Sequence, residues 1–484
     1  MSERFDIAVI GCGVVGLAIL RRFAMSGLKC VALEKGADIL SGASKGNSAL
    51  LHTGFDAPPK SLELACMQAG YAEYLDIRQK LNLPLLETSA IVAAWNEEEV
   101  LKLEGIEAKA RANAVADVKR LSQTELRIRE PQLAKTARAG LLVPGEHVID
   151  PWSAPLAYAQ QALAHGAKII RNAEVTKASR EGGEWQLKTP QGDISARIVI
   201  NAAGLYGDHV EALARDVAFK IKPRKGQFVV FDKPAAKLLR AILLPVPTER
   251  TKGVVLFRTI FGNLAIGPTA EETDERENAS TDTATLEKLK ARAVELLPAL
   301  KDVDVTAFYA GLRPATEHQD YVIEAHKAEN WITVAGIRST GLTSSLGIAQ
   351  HVAKLYGKHF GKLPKKLPAP IWTPVPNLAE HAIRPYMKGG EIICHCEWVT
   401  RGEIEAAAQG PLPAGDLAGL KRRTRATMGR CQGFYCAAHV SAAFEKVKAN
   451  SGQVADLADK NLLPQNESAR FLVGRAQARG RKAR

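Results

Sequence analysis

The sequence predicts an α/β chain with a strand–helix–strand first part, a β-rich part whose sheet caps it, and a small helical C-terminal domain. Three observations predict it. A buried-strand pattern at Phe5-Asp6-Ile7-Ala8-Val9-Ile10 runs straight into Gly11-Cys12-Gly13-Val14-Val15-Gly16 and an apolar helix. Between Lys222 and Pro268 the pattern changes to closely spaced strand candidates. Behind a proline-rich stretch, four of the seven cysteines share one window, as Cys394-His395-Cys396 and Cys431-Gln432-Gly433-Phe434-Tyr435-Cys436.

At 484 residues the chain can hold two or three domains and a large core. The run Ile7 to Leu20 is too short to span a bilayer and is punctuated by glycines, so neither a membrane helix nor a signal peptide is expected. An odd cysteine count, with Cys12, Cys30 and Cys66 isolated, points to a reducing cytoplasm rather than a disulfide framework. The net charge of +13 is uneven: from Gly361 onward there are 20 Lys/Arg against 10 Asp/Glu. Such a basic quarter suits an anionic partner or membrane surface, or is a solvated face with a frayed tail.

The first helix covers Leu17 to Ser26, stopped by Gly27, and the next strand, Lys29 to Leu33, finishes at Glu34. This order, strand, G-x-G-x-x-G, helix, strand, acid, fits a dinucleotide. Gly11 permits the tight turn, Gly13 lets the backbone approach a pyrophosphate, Gly16 lets helix pack on strand, and Glu34 accepts ribose hydroxyls. The small, polar stretch Ser41 to Gly54 follows, as a backbone lying against a ligand requires. Helices are predicted at 59–81, 97–110 and 153–164, with a capping box at Ser122/Glu125. Strands are predicted at 88–95, 168–171, 174–179, 185–189 and 197–204, with a hairpin turn at Glu181-Gly182-Gly183. The β-rich part offers strands at 226–231, 241–246, 253–258 and 263–267. A helix at 283–297 and strands at 303–313 and 331–335 follow. The last strand enters Gly336 to Thr343, a glycine-rich turn opening a helix whose N–H groups face an anion. Five prolines between Lys362 and Pro376 mark a semi-rigid linker. The expected divisions are thus a core at 1–360, a linker at 361–389, a cysteine domain at 390–450 with helices at 400–408 and 437–448, and a basic tail at 451–484.

Four thiolates converging on one point suit an iron–sulfur cluster or a structural zinc, although C-x-C is tight for zinc. The ligands are Cys394, Cys396, Cys431 and Cys436, with His395 a bystander. Five basic residues from Lys421 to Arg430 would flank the site, stabilising a reduced cluster or docking an acidic electron acceptor.

Several segments carry a resemblance: Asn47 to Gly54, Lys225 to Val230, Thr251 to Val255, Gly267 to Ala270 and Gly341 to Thr343. On these the first 360 residues resemble the D-amino-acid-oxidase-like FAD oxidoreductases, and within them the glycerol-3-phosphate dehydrogenases and oxidases. Residues 390–440 resemble the [2Fe–2S] domain related to bacterioferritin-associated ferredoxin. The run Lys421 to Gly433 is similar to the C-terminus of anaerobic glycerol-3-phosphate dehydrogenases. Ala49 departs from the glycine usual there, and L-2-hydroxyglutarate oxidoreductases share the Asn-Ser…His…Gly loop. The resemblance implies an FAD-binding Rossmann-like domain interleaved with a β-rich substrate domain, and two cofactors, FAD and a [2Fe–2S] cluster.

It further implies His52 as the base under the flavin ring, with Arg313, and Lys252 after it, gripping an anionic substrate. His147 and His318 are expected at the surface, and Arg258 and Arg338 have no assigned partner. The residues expected along FAD are Gly11, Gly13, Gly16, Glu34, Lys35, Ser44, Asn47, Ser48, Val175, Ala203, Gly204, Gly311, Gly336, Gly341, Leu342 and Thr343. The activity implied is oxidation of a small anionic secondary alcohol, glycerol 3-phosphate first, with electrons leaving through the cluster to a redox protein or a quinone-reducing membrane partner. That places the protein in the cytoplasm, with peripheral contact at the inner membrane face, and no nucleic acid is expected as partner. The rivals are 2-hydroxy-acid or amine and opine oxidation, or a non-catalytic redox or iron-handling adaptor.

Overall fold

The structure is a computed structural model and describes residues 3–247, 253–364, 369–379 and 390–450. Its first sheet grows around strand Arg4–Ile10, whose last four residues, Ile7 to Ile10, are buried on both faces and therefore read as an apolar run. Strand Cys30–Leu33 pairs parallel on one side, in register Ile7 to Cys30, and strand Ile194–Asn201 on the other, Ile7 to Ile198. Ile194–Asn201 shares its far edge between two neighbours. The hairpin strand Glu184–Lys188 covers its first half antiparallel, and Trp331–Ala335 covers its last three residues parallel. The 174–179 strand lies later than predicted, at Lys177–Glu181, because the hairpin at Gly182 and Gly183 sets its register.

Helices Val14–Met25, Leu62–Ile77, Ser153–Ala164 and Gly341–His359 pack together against this sheet. Leu17, Leu20, Phe23, Tyr74, Tyr158 and Ile348 join one buried cluster there. The first helix starts at Val14 rather than Leu17, since Ser44 Oγ accepts from Val14 N at 3.0 Å and caps its open end.

The second sheet takes strands from two stretches of chain. Lys222–Phe231 pairs antiparallel with Val305–Ala315 along almost its whole length, aligning Gly226 with Gly311 and Arg224 with Arg313. Ile242–Pro245 then pairs with Ala90–Ala94 from much earlier in the chain. The two parts are interleaved, as the family resemblance implies. A third, three-stranded sheet, not anticipated, joins Leu50–Leu51 and Leu85–Glu87 to His147–Ile149.

The cysteine domain opens with Ile392–Cys394 paired to Val399–Thr400. Helices Arg401–Ala408 and Ala437–Asn450 occur where predicted, the first with a full Thr400/Glu403 capping box. A third helix, Leu417–Thr424, corrects the sequence reading, which saw only a basic run. Asp416 caps its start, and Leu420 joins the buried cluster of Val399, Ile404 and Phe444.

The five basic residues expected to flank the cluster are also drawn into contacts within the protein, which the sequence reading did not anticipate. Arg422, Arg423 and Arg425 are buried. Arg423 forks onto Asp38, Arg425 pairs with Glu397 at 2.9 Å and covers the Phe261 ring at 3.7 Å, and Arg430 reaches Asp232 and Asp304. These cations close the joint between domains. The described part of the proline-rich stretch is likewise held on the core: Val375 N donates to Leu81 O, Ile371 N to His165, and Trp372 packs on the first cluster. Residues 451–484, the basic tail, lie outside the described residues. Among the described residues no helix is long and apolar enough to cross a membrane.

Candidate active site

The carboxyl ends of the parallel strands meet in a cavity of about 750 Å³. This is where ligands sit in doubly wound sheets, because the strand-to-helix turns leave open N–H groups there. Two glycines make the turn possible. Gly11 has φ +103° and a Cβ would lie 2.6 Å from Ala202 O, while a Cβ on Gly16 would lie 2.0 Å from Gly11 O. Glu34 stands at the next strand end, its carboxylate accepting from Cys12 N, Gly36 N and Ser41 Oγ. Burial pushes its pKa up, and those donors pull it partly back. The cradle of bare backbone and an oriented acid fits a dinucleotide.

Of the predicted cofactor residues, Gly11, Gly13, Glu34, Lys35, Ser44, Asn47 and Ser48 line the cavity. So do Val175, Ala203, Gly204, Gly311, Gly336, Gly341 and Leu342. Gly16 and Thr343 do not. Gly16 acts in packing, and Thr343 lies buried behind the wall, accepting from His52 N and donating to Leu50 O. Ala49, the departure from the glycine pattern, does adopt the left-handed φ of +58° that glycine takes easily. The Asn47 side chain offsets the strain by accepting from Ala49 N at 2.7 Å.

Arg313 also lines the cavity. Its guanidinium donates to three carbonyls, Arg224 O, Lys225 O and Thr269 O, the last at 2.7 Å. Among the described residues no carboxylate forms an ion pair with it. Burial, and then the neighbouring Arg224, push its pKa down to about 10, so it remains charged at neutral pH. Arg313 is half-buried, and a cation partly withdrawn from water without a counter-charge gains when a ligand supplies one. Lys252, its proposed companion, lies outside the described residues.

His52 is not in the cavity lining. Its Nδ1 lies 2.7 Å from Glu146 Oε2, and the other oxygen of that fully buried carboxylate accepts from Thr53 N and Oγ1. The third sheet makes this meeting, since Leu51 pairs with His147 and so sets His52 beside Glu146. The sequence reading missed Glu146. Its only signal was a Pro144-Gly145-Glu146-His147 turn, which resembles any surface loop. His147 is half-buried against Tyr71 rather than at the surface, and burial lowers its pKa, whereas His318 is exposed as expected. Arg338 finds a partner in Glu63, at 3.2 Å. The Nε of half-buried Arg258 has no partner among the described residues.

The four cysteines come together, but not around one point. Among the described residues no three His, Cys, Asp or Glu side chains are placed to hold a single ion. The thiols pair instead, Cys394 with Cys436 and Cys396 with Cys431. Four neighbouring thiols that do not meet at one point suit a [2Fe–2S] cluster, which takes four thiolates, better than the single centre of tetrahedral zinc. Backbone N–H groups of Thr427 and Glu397 point at the Cys394 sulfur, and that of Cys431 at Cys396. The Cys436 contact and these amides favour the Cys394 thiolate. Such donors hold thiolates and tune a cluster's potential. Cys394 and Cys436 are buried, while Cys396 and Cys431 are half-buried, so one pair faces outward.

Residues 6–355 match the family described as FAD dependent oxidoreductase, and residues 392–446 match the BFD-like [2Fe-2S] binding domain. The chain is 31% identical over 448 residues to a glycerol 3-phosphate dehydrogenase of Caloramator mitchellensis, covering 90% of this chain and 93% of the relative. It is 30% identical to a glycerol 3-phosphate oxidase of Mycoplasma genitalium, over 78% of this chain and 99% of the other. Its fold is similar to the FAD-bound L-alpha-glycerophosphate oxidase of Mycoplasma pneumoniae, with a TM-score of 0.70 and 27% identity over 77% of this chain and 98% of that one.

Proposed function

The chain belongs to the FAD dependent oxidoreductases, and on that premise we propose that it is a dehydrogenase of glycerol 3-phosphate, forming dihydroxyacetone phosphate. The observation that carries this reading is Arg313, a half-buried guanidinium on the cavity wall whose protein partners are carbonyls. Its planar group matches the oxygens of a phosphate, and binding an anion there offsets a partly desolvated charge that no carboxylate among the described residues pairs. The relatives' names give the same substrate.

Bound FAD supplies a hydride acceptor, and a [2Fe–2S] cluster supplies one-electron transfer. The residues that would hold FAD are Gly11, Gly13, Glu34 and the 41–48 loop on the cavity wall, with the Gly341 helix N-terminus toward anionic oxygen. Arg313 fixes the phosphate end of the substrate. His52 takes the hydroxyl proton, and Glu146 holds its Nδ1 so that the ring keeps one orientation and the imidazolium formed is stabilised. The cysteine pairs hold the cluster. With Cys396 and Cys431 on its outward side, a bound cluster would supply one-electron transfer to a redox protein or a quinone-reducing membrane partner, the chemistry of a dehydrogenase rather than an oxidase.

A substrate panel tests the reading. Glycerol 3-phosphate should turn over with an artificial electron acceptor, whereas L-2-hydroxyglutarate and sarcosine should not. In Arg313→Gln the loss should appear chiefly in KM. Turnover of an amine that survives this substitution, with none of glycerol 3-phosphate, would overturn it.

A further inference from the structure

The loop that carries Glu34 has a second attachment, which the cofactor alone does not explain. Four residues after Glu34, Asp38 is fully buried. Its carboxylate accepts from both terminal nitrogens of Arg423, at 2.5 and 2.9 Å, and from Gly415 N at 3.2 Å. Arg171, from the core, stands 3.7 Å away and itself donates to Pro413 O at 2.7 Å. Arg422 donates to Ile39 O at 2.9 Å. The contact leaves no spare room. A Cβ on Gly415 would lie 1.8 Å from Ala37 O, and one on Gly419 would lie 1.5 Å from the Asp38 carboxylate. One side of the 34–41 loop thus faces the cavity through Glu34, Lys35, Gly36 and Ser41, and the other side is seated on the cysteine domain.

We infer that Arg422 and Arg423 of the cysteine domain are positioning residues for FAD: by clamping Asp38 and Ile39 they hold the Glu34 loop in its ligand-accepting shape. The cysteine domain therefore does more than carry electrons away. It completes the nucleotide site from outside, through residues 385 positions distant in the chain. Linkage makes the effect mutual, so FAD holds the cysteine domain in place as strongly as that domain holds FAD. The inference stands on the cofactor and is independent of the substrate proposed above.

The test uses the full-length protein loaded with iron, stripped of FAD and titrated back, with Kd read from quenching of flavin fluorescence. Arg423→Gln should raise the Kd at least tenfold while iron content stays at the wild-type level. Arg423→Lys, which keeps the charge but not the fork, should fall between. Amide exchange of residues 34–41 should quicken in the same order in the FAD-free proteins, a readout that needs no turnover. An unchanged Kd together with unchanged exchange in Arg423→Gln would overturn the inference. If Arg423→Gln does not retain iron, Arg423→Lys decides by the same two readouts.

Discussion

Two arginines drawn out of solvent, Arg423 buried and Arg313 half-buried, meet opposite fates in this molecule. Arg423 sits between domains with both nitrogens of its fork on the Asp38 carboxylate. Arg313 sits at the cavity wall with only carbonyls on its guanidinium. The first is electrically complete, and the second, on the proposed reading, takes the anion of the substrate. Both are drawn out of water, Arg423 fully and Arg313 by half, and the counter-charge is what separates a structural cation from a proposed binding one. The comparison also explains why the basic run misleads: five cations beside a cluster look like an electrostatic collar, yet three of them are buried in the joint.

The comparison predicts substitutions of opposite sign. The largest effect belongs to the joint. Asp38→Ala leaves Arg423 buried and unpaired, and should cost about 3–5 kcal/mol of stability, read from denaturant unfolding of the joint region by amide exchange. Arg313→Gln comes next. It should lower kcat/KM for glycerol 3-phosphate by about 30- to 700-fold, the equivalent of about 2–4 kcal/mol of lost charge pairing. Its unfolding midpoint should hold or rise, since a half-buried cation without a carboxylate partner leaves the cavity wall. A fall in stability matching that of Asp38→Ala would break the distinction.

Glu146→Gln tests the other half of the active site. Losing the carboxylate on His52 should lower kcat roughly 10²-fold, the low end of what a positioned base contributes, with KM little changed in steady-state assays. The smallest effect is that of acid on the joint. Arg423, Arg422 and Arg171 hold Asp38 below its ordinary value of 3.8, against the opposing pull of burial. A depressed carboxylate contributes stability that is present above its unfolded pKa and fades as pH falls through the folded one. The stability gap between wild type and Asp38→Asn should therefore be full at neutral pH and shrink only below the ordinary value.

The legible parts of the sequence were those whose constraints are local. Gly11 and Gly16 are fixed by a turn of six residues, where any Cβ meets backbone. The spacing from Gly16 to Glu34 is set by one helix and one strand. The cysteine spacing was equally plain, but their pairing was not, since Cys394 meets Cys436 only after the chain has made two helices. The illegible parts depend on meetings across the chain. His52 and Glu146 are 94 positions apart and are joined by a two-residue strand. Arg423 and Asp38 are 385 apart, and no periodicity in either segment announces the other. The helix that carries Arg423 was hidden by its own charge, because the buried side of Leu417–Thr424 uses arginines where a core helix would use leucines.

The most direct test is an anaerobic titration of the FAD- and iron-loaded protein with glycerol 3-phosphate, followed by visible absorption. The flavin band should bleach and the broad cluster absorption follow it, and in Arg313→Gln the same bleaching should need far more substrate. A flavin band that glycerol 3-phosphate leaves intact, in protein that dithionite still bleaches, would contradict the proposed activity.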